Sequence, residues 1–293
     1  MTVLDGFDTR RVEVDGVGIH TAVAGTGPPL LLLHGYPQHS WMWRQVAPAL
    51  AERFTVVVTD LRGYGRSDKP APDADGERYS KRTMAVEQLG VMRELGFERF
   101  SVVSHDRGAR VAYRLGLDRP DVVERLVLLD IVPTGHVLTH VDLTLASSYF
   151  HWFFLATGGD VPERLLAAEP EFWIRAMIER LLAPGARISD EVMDDYVRCF
   201  GDPAMIAASC ADYRSGASVD LEHDRADHDA GRRLACPTLV LWGAQGFVGR
   251  AYEPLEVWRE WADDVRGHAL DAGHFLPEEV PDEVVDEVLA FLA

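Results

Sequence analysis

Five short apolar runs constrain this chain more than any other feature: "PLLLLHG" at 29–35, "FTVVVTD" at 54–60, "FSVVSHD" at 100–106, "RLVLLDIV" at 125–132 and "PTLVLWG" at 237–243. None of them alternates apolar with polar residues. Successive side chains on a strand point to opposite faces, so a run that is apolar throughout is buried on both, as in a parallel sheet covered by helices. Helical patterns such as "RTMAVEQLGVMREL" and "GARVAYRLGLD" lie between the runs, so the order is βαβ repeated. Upstream, "RVEVDGVGIHTAVAG" does alternate, around Asp15-Gly16, and predicts a β-hairpin.

From about residue 133 to 216 the strand signal disappears. This stretch is rich in helix formers and aromatics, as in "SSYFHWFFLATGG" and "EFWIRAMIERLL", and is broken by Pro and Gly. It predicts a helical cap (133–216) inserted between two parts of an α/β core, 1–132 and 217–293. The terminal "PDEVVDEVLAFL" has helical apolar spacing and predicts a last helix packed on the sheet. A chain of 293 residues with 47% hydrophobic content is long enough for one such unit with its insertion.

The net charge of −18, from 29 basic and 47 acidic side chains, argues against a nucleic-acid or anionic-membrane partner. It also opposes an anionic substrate, although exposed charges are screened beyond about 8 Å and a local pair of arginines can dominate. Cys199, Cys210 and Cys236 are odd in number and lack metal-ligand spacing, which predicts reduced, structural thiols. No apolar signal core opens the chain, and no run approaches the roughly 18 residues of a membrane span. The expectation is a soluble cytoplasmic protein.

Ser104-His105-Asp106-Arg107-Gly108 closes a strand and opens a helix. This is the setting of a nucleophile elbow, with Asp in place of the serine of G-x-S-x-G. Small residues on either side permit the sharp turn. An isolated Asp here would read as a helix N-cap, but other segments complete a site. "HGYP" at 34–37 follows the first parallel strand and offers the Tyr36 backbone N–H, with that of Arg107, as an oxyanion hole. His274, in "LDAGHFLPEEVPDEV", lies between the last strand and the last helix, where a general base belongs. The loop after "LVLWG" holds no carboxylate, so the orienting acid is Asp130, at the end of "LVLLDIVP". Asp106, His274 and Asp130 thus form a nucleophile, base and orienter.

With these motifs in view, the chain resembles the α/β-hydrolase superfamily, and within it the fluoroacetate (haloacetate) dehalogenases. The likeness runs through "HGYPQHSWMW", "RGYGRSDKP", "SHDRGAR", "LDIVPT", "FHWFF", "DYRSGA" and "GHFLPEE". The first two segments are shared with epoxide hydrolases and haloalkane dehalogenases; "HDRGAR" with "FHW" and "DYR" is the specific part. Relatives usually carry Trp directly after the nucleophile, where this chain has Arg107. Arg110 follows one helical turn on, and two guanidinium groups suit a substrate carboxylate. The resemblance implies that His151, Trp152 and Tyr213 hold the departing halide, through imidazole, indole and phenol donors. It also implies a homodimer. Tyr36 stands where the family commonly has Phe, and Leu181 and Leu182 are aliphatic where some members carry a bulky aromatic, which bears on pocket size.

The mechanism implied is displacement of halide by Asp106, giving an aspartyl ester that His274-activated water hydrolyses, with no metal or cofactor. Two other readings stand beside it. An epoxide hydrolase shares the Asp nucleophile but needs cap tyrosines, for which Tyr149, Tyr196 and Tyr213 are candidates. A non-catalytic ligand receptor would not need the complete nucleophile, orienter and base.

Overall fold

The computed structural model describes residues 4–293. Eight strands form one sheet: β1 Asp8–Val14, β2 Val17–Ala24, β3 Pro29–Leu33, β4 Thr55–Thr59, β5 Phe100–His105, β6 Val123–Leu129, β7 Thr238–Gly243 and β8 Val265–Leu270. Their spatial order is β1-β2-β4-β3-β5-β6-β7-β8. The β1–β2 hairpin turns at Asp15-Gly16, and β2 runs antiparallel to β4; every later pairing is parallel. The five apolar runs of the sequence are β3, β4, β5, β6 and β7. Leu30 to Leu33 and Val56 to Val58 are fully buried, as two-sided covering by helices requires.

The edge strand β8 is not among those runs, and its burial shows why. Val265, Gly267 and the two residues after it are at least partly exposed, and only Leu270 is buried. Such a strand has no continuous apolar signal to offer a reader of the sequence.

Between β6 and β7 the described residues contain helices and loops without a strand of the sheet. The helices Phe150–Leu155, Pro170–Glu179, Asp190–Phe200 and Pro203–Ala217 sit over the C-terminal ends of the parallel strands. That is the sheet edge where open α/β proteins gather their ligands. A helix break at Ser218 leads into Val219–Asp229, which packs back on Thr134–Thr139. Tyr113 and Arg114, on the helix Asp106–Asp118, fasten that return: Tyr113 donates to Asp224 at 2.8 Å, and Arg114 pairs with Asp227. No helix among the described residues is long and apolar enough to cross a membrane.

Candidate active site

β5 ends at His105, and the next residue, Asp106, takes φ +45°, the left-handed region that side chains with a Cβ rarely adopt. The turn is held by close packing on both sides. A Cβ on Gly108 would lie 2.3 Å from the His34 carbonyl, and one on Gly35 would lie 2.5 Å from Asp106 Cβ. Ser104 fits beneath the turn and donates its hydroxyl to the Val127 carbonyl at 2.9 Å. The strand-to-helix corner therefore needs the small residues that the sequence places around Asp106.

The backbone N–H of Tyr36 donates to Asp106 Oδ1 at 2.9 Å. The other carboxylate oxygen, Oδ2, faces His274 Nε2 at 3.9 Å, beyond hydrogen-bond reach. The opposite ring nitrogen, Nδ1, lies 2.6 Å from Asp130 Oδ2, and Asp130 Oδ1 accepts the Gly243 N–H at 2.9 Å. Asp130 also has positive φ, +53°, at the end of β6. The structure thus brings Asp106, His274 and Asp130 together, all three buried, with His274 hydrogen-bonded to Asp130 and 3.9 Å from Asp106. Arg107 occupies the first helical turn, where a backbone N–H has no intrahelical acceptor and remains free to serve a developing oxyanion.

The electrostatics follow from the neighbours. Burial opposes the negative charge of Asp106, but His274, His105, Arg110 and Arg107 outweigh it and hold its pKa below the usual carboxylate value. Burial likewise opposes an imidazolium at His274. The hydrogen bond to Asp130 and the charges of Asp130 and Asp106 prevail, raising its pKa above the ordinary histidine value.

Arg107 departs from the expectation. Its Nε and Nη2 donate to Asp212 Oδ2 and Oδ1 at 2.9 and 2.7 Å, and Nη2 also reaches the Asp212 carbonyl at 2.8 Å. Lys81 pairs with the same carboxylate. The fork that was assigned to a substrate carboxylate is therefore occupied by an internal one, and only Nη1 is left without a partner. Arg110 is different. Its Nη1 donates to the Val132 carbonyl at 3.1 Å and to Thr134 Oγ1 at 2.9 Å, while its Nε has no partner. It forms no ion pair among the described residues, and its charge reaches Asp106.

The cap supplies a buried aromatic group facing these residues. The His151 and Tyr213 rings are 5.8 Å apart, those of Trp152 and Tyr213 6.0 Å, and those of Tyr36 and Tyr213 5.3 Å. The Arg110 guanidinium lies 4.6 Å from the Trp152 ring, and that of Arg107 lies 4.3 Å from Tyr213. Burial lowers the His151 pKa to about 3, so its imidazole is neutral and offers a single N–H. Tyr149 flanks His151 at 5.4 Å. Tyr196 is not part of this group, because its hydroxyl donates to Glu278 at 2.6 Å.

Three participants escaped the sequence reading. Asp212 stands immediately before Tyr213 in "DYR", but its partners Arg107 and Lys81 lie more than a hundred positions earlier, so no local signal marks its role. His105, before the nucleophile, has Nε2 2.8 Å from the His274 carbonyl and so fixes the loop carrying the base. Trp173 donates its indole N–H to the Tyr36 hydroxyl at 2.6 Å, bracing the oxyanion loop from the cap; nothing in the local sequence marks it.

The chain has counterparts among known proteins. A family model described as the alpha/beta hydrolase fold matches residues 28–281. The fluoroacetate dehalogenase of Burkholderia sp. is 42% identical over 292 residues, covering 99% of this chain and 95% of that protein. The soluble epoxide hydrolase of Corynebacterium sp. (strain C12) is 36% identical over 290 residues, with 97% and 96% covered. Among solved structures, one described as an alpha/beta hydrolase from Nostoc sp. PCC 7120 superposes with a TM-score of 0.97 at 47% identity, covering 99% of each chain.

Proposed function

The chain belongs to the α/β-hydrolase family, and from that premise we propose that this hydrolase removes halide from 2-haloacetates, converting fluoroacetate and water to glycolate, fluoride and a proton. The observation that carries the reading is Arg110: a buried guanidinium beside the nucleophile, with no carboxylate among the described residues in ion-pair contact with it. An anionic substrate supplies that contact, because a buried charge is stabilised by a hydrogen-bonded counter-charge. The likeness to a fluoroacetate dehalogenase agrees.

Arg110, with the free Nη1 of Arg107, holds the substrate carboxylate. The carbon–halogen bond then points toward His151, Trp152 and Tyr213, whose N–H and O–H groups receive the departing halide. Asp106 Oδ1 is fixed by the Tyr36 N–H, so Oδ2 is the attacking atom. It forms a bond to the methylene carbon as the carbon–halogen bond breaks and its electron pair leaves with the halide. The product is an ester in which Oδ2 is the alkoxy oxygen and Oδ1 the carbonyl.

Hydrolysis uses the other half of the site. His274 Nε2 takes a proton from water, whose oxygen attacks the Asp106 carbonyl carbon. Negative charge gathers on Oδ1, where the N–H of Tyr36 already points and that of Arg107 is available. Collapse breaks the bond from the carbonyl carbon to Oδ2, the departing glycolate alkoxide takes the proton from His274, and the Asp106 carboxyl, which now carries the water oxygen, releases its remaining proton to solvent. A serine ether would not be cleaved this way, which accounts for Asp at the elbow.

Epoxide opening is the second reading, favoured by Tyr149 and Tyr213, which flank His151 from two sides, and by the likeness to an epoxide hydrolase. A halide electrode separates the two. Release of fluoride from fluoroacetate, or of chloride from chloroacetate, supports the first. No halide from any haloacetate, with hydration of styrene oxide, replaces it by the second.

A further inference from the structure

A cavity of about 230 Å³ lies at the seam between cap and core, lined by Ser148, Arg180, Leu182, Phe247 and Arg250 among others. Its floor is the active-site loop. Leu181, also in the lining, accepts the His274 backbone N–H on its carbonyl at 2.9 Å. Phe247 packs on Tyr149 at 4.4 Å, and Tyr149 lies 5.4 Å from His151. The rings of Phe247 and Tyr149 thus form a continuous chain of contacts from this cavity to His151.

Two cations stand at its mouth. Arg180 donates to the Ser147 carbonyl at 3.3 Å and lies 4.8 Å from the Phe150 ring, and neither it nor Arg250 forms an ion pair among the described residues. Both are exposed. In a chain of net charge −18, where acidic side chains are in large excess, two unpaired arginines at one opening are a local reversal of the field. The charge of Arg180 is felt at His151, inside the site.

We propose that this cavity is the port through which the anionic substrate enters, with Arg180 and Arg250 drawing it in against the negative charge of the whole protein. This rests on the haloacetate reading and adds to it a route and two specificity-determining residues. Neither arginine touches the reacting atoms; their effect is a positive potential that the substrate feels both before and during reaction. Such uniform binding lowers KM and leaves kcat unchanged.

The test is a series in the full-length protein, with chloroacetate as substrate: Arg180→Gln, Arg250→Gln, the double Gln variant, the double Glu variant and the double Lys variant. The expected result is a KM that climbs with the charge removed, about threefold for each single change and more than tenfold for the double Glu protein, with kcat within twofold of wild type. Lysine restores the point charge without the guanidinium shape, so the double Lys variant returns KM to within twofold. KM within 1.5-fold of wild type across the series overturns the port while leaving the haloacetate reading intact. A KM that the Lys variant fails to rescue also overturns it, assigning the arginines to cap packing. If the wild type releases no chloride, the haloacetate reading falls and the port falls with it.

Discussion

Arg107 presents Nε and Nη2 to the two oxygens of Asp212 at 2.9 and 2.7 Å, a bidentate pair buried between the nucleophile helix and the cap helix Pro203–Ala217. Lys81 adds a second cation to the same carboxylate. The pair ties the cap to the elbow and commits most of the Arg107 fork to structure, so that in the proposed mechanism only its Nη1 and its backbone N–H are left for the chemistry. Arg110 lacks such a partner among the described residues, and the proposed function gives it to the substrate. The two arginines should therefore separate experimentally. Arg110→Gln is expected to raise KM for haloacetates by about tenfold or more, since hydrogen bonds to charged groups contribute roughly 1.5–3 kcal/mol, with the melting temperature nearly unchanged. Asp212→Asn leaves the buried Arg107 without its counter-charge and Lys81 with Asp220 alone, and should cost about 3–5 kcal/mol of stability. Guanidinium unfolding curves beside steady-state kinetics make the comparison; equal stability losses in the two variants would contradict this division of roles.

In the proposed mechanism His274 acts only after the ester has formed, because alkylation would use Asp106 Oδ2 and the halide donors alone. His274→Ala is thus expected to lower kcat by about 10²–10⁴-fold while a burst of halide, one per active site, persists. Intact-mass spectrometry of the reacted variant should show one added carboxymethyl group, located at Asp106 by peptide mapping. A variant that turns over no substrate and stays unmodified would show that His274 is needed before the ester forms.

How much of this was legible beforehand depended on whether a signal was local. Asp106 and Asp130 each follow a recognisable strand, and His274 stands just ahead of the recognisable last helix, so their meeting follows from the topology of the sheet and its helices. The roles of Arg107 and Arg110 turn on a partner far away in the chain: Asp212, more than a hundred positions on, decides which of them is free. Local spacing put both arginines on one helix face but held no information about what that face meets. β8 was faint for a related reason, its one-sided exposure removing the apolar run that marks its neighbours. Trp173, which braces the Tyr36 hydroxyl from the cap, is likewise a product of tertiary packing.

The halide donors should discriminate between leaving groups. Fluoride departs with the most concentrated charge and gains most from hydrogen bonds that strengthen as the bond breaks. Trp152→Phe and Tyr213→Phe keep the ring and delete the donor. Each is expected to slow fluoroacetate by about 10–100-fold, on the basis of roughly 1.5–3 kcal/mol for a charge-assisted bond, and bromoacetate by less than about fivefold. Rates for the two substrates falling by the same factor would instead assign these side chains to packing.

The pH dependence follows from the two shifted groups. Asp106 is held below the usual carboxylate value, so alkylation needs no further ionisation through the neutral range, and the halide burst should be flat from about pH 6 to 9. Ester hydrolysis needs neutral His274, whose pKa in the free enzyme is raised partly by the Asp106 charge. Esterification removes that charge and lowers the His274 pKa within the intermediate, so the base is freed by the step that precedes its use. The steady-state rate should rise with pH to a plateau, with its midpoint below the His274 pKa that NMR finds in the free enzyme. Asp130→Asn removes the hydrogen-bonded counter-charge of the imidazolium, leaving only the more distant Glu279, and should move both values down. For stability the sign is opposite. A folded pKa above the unfolded one gives stability that is complete below the unfolded value and is lost as pH rises through the folded value, so the His274 contribution fades on the alkaline side while activity is retained. Imidazole titration with the burst and steady-state rates, across pH 5 to 9, tests the whole scheme; a burst that follows the same titration as the steady-state rate would contradict the assignment of His274 to the second step alone.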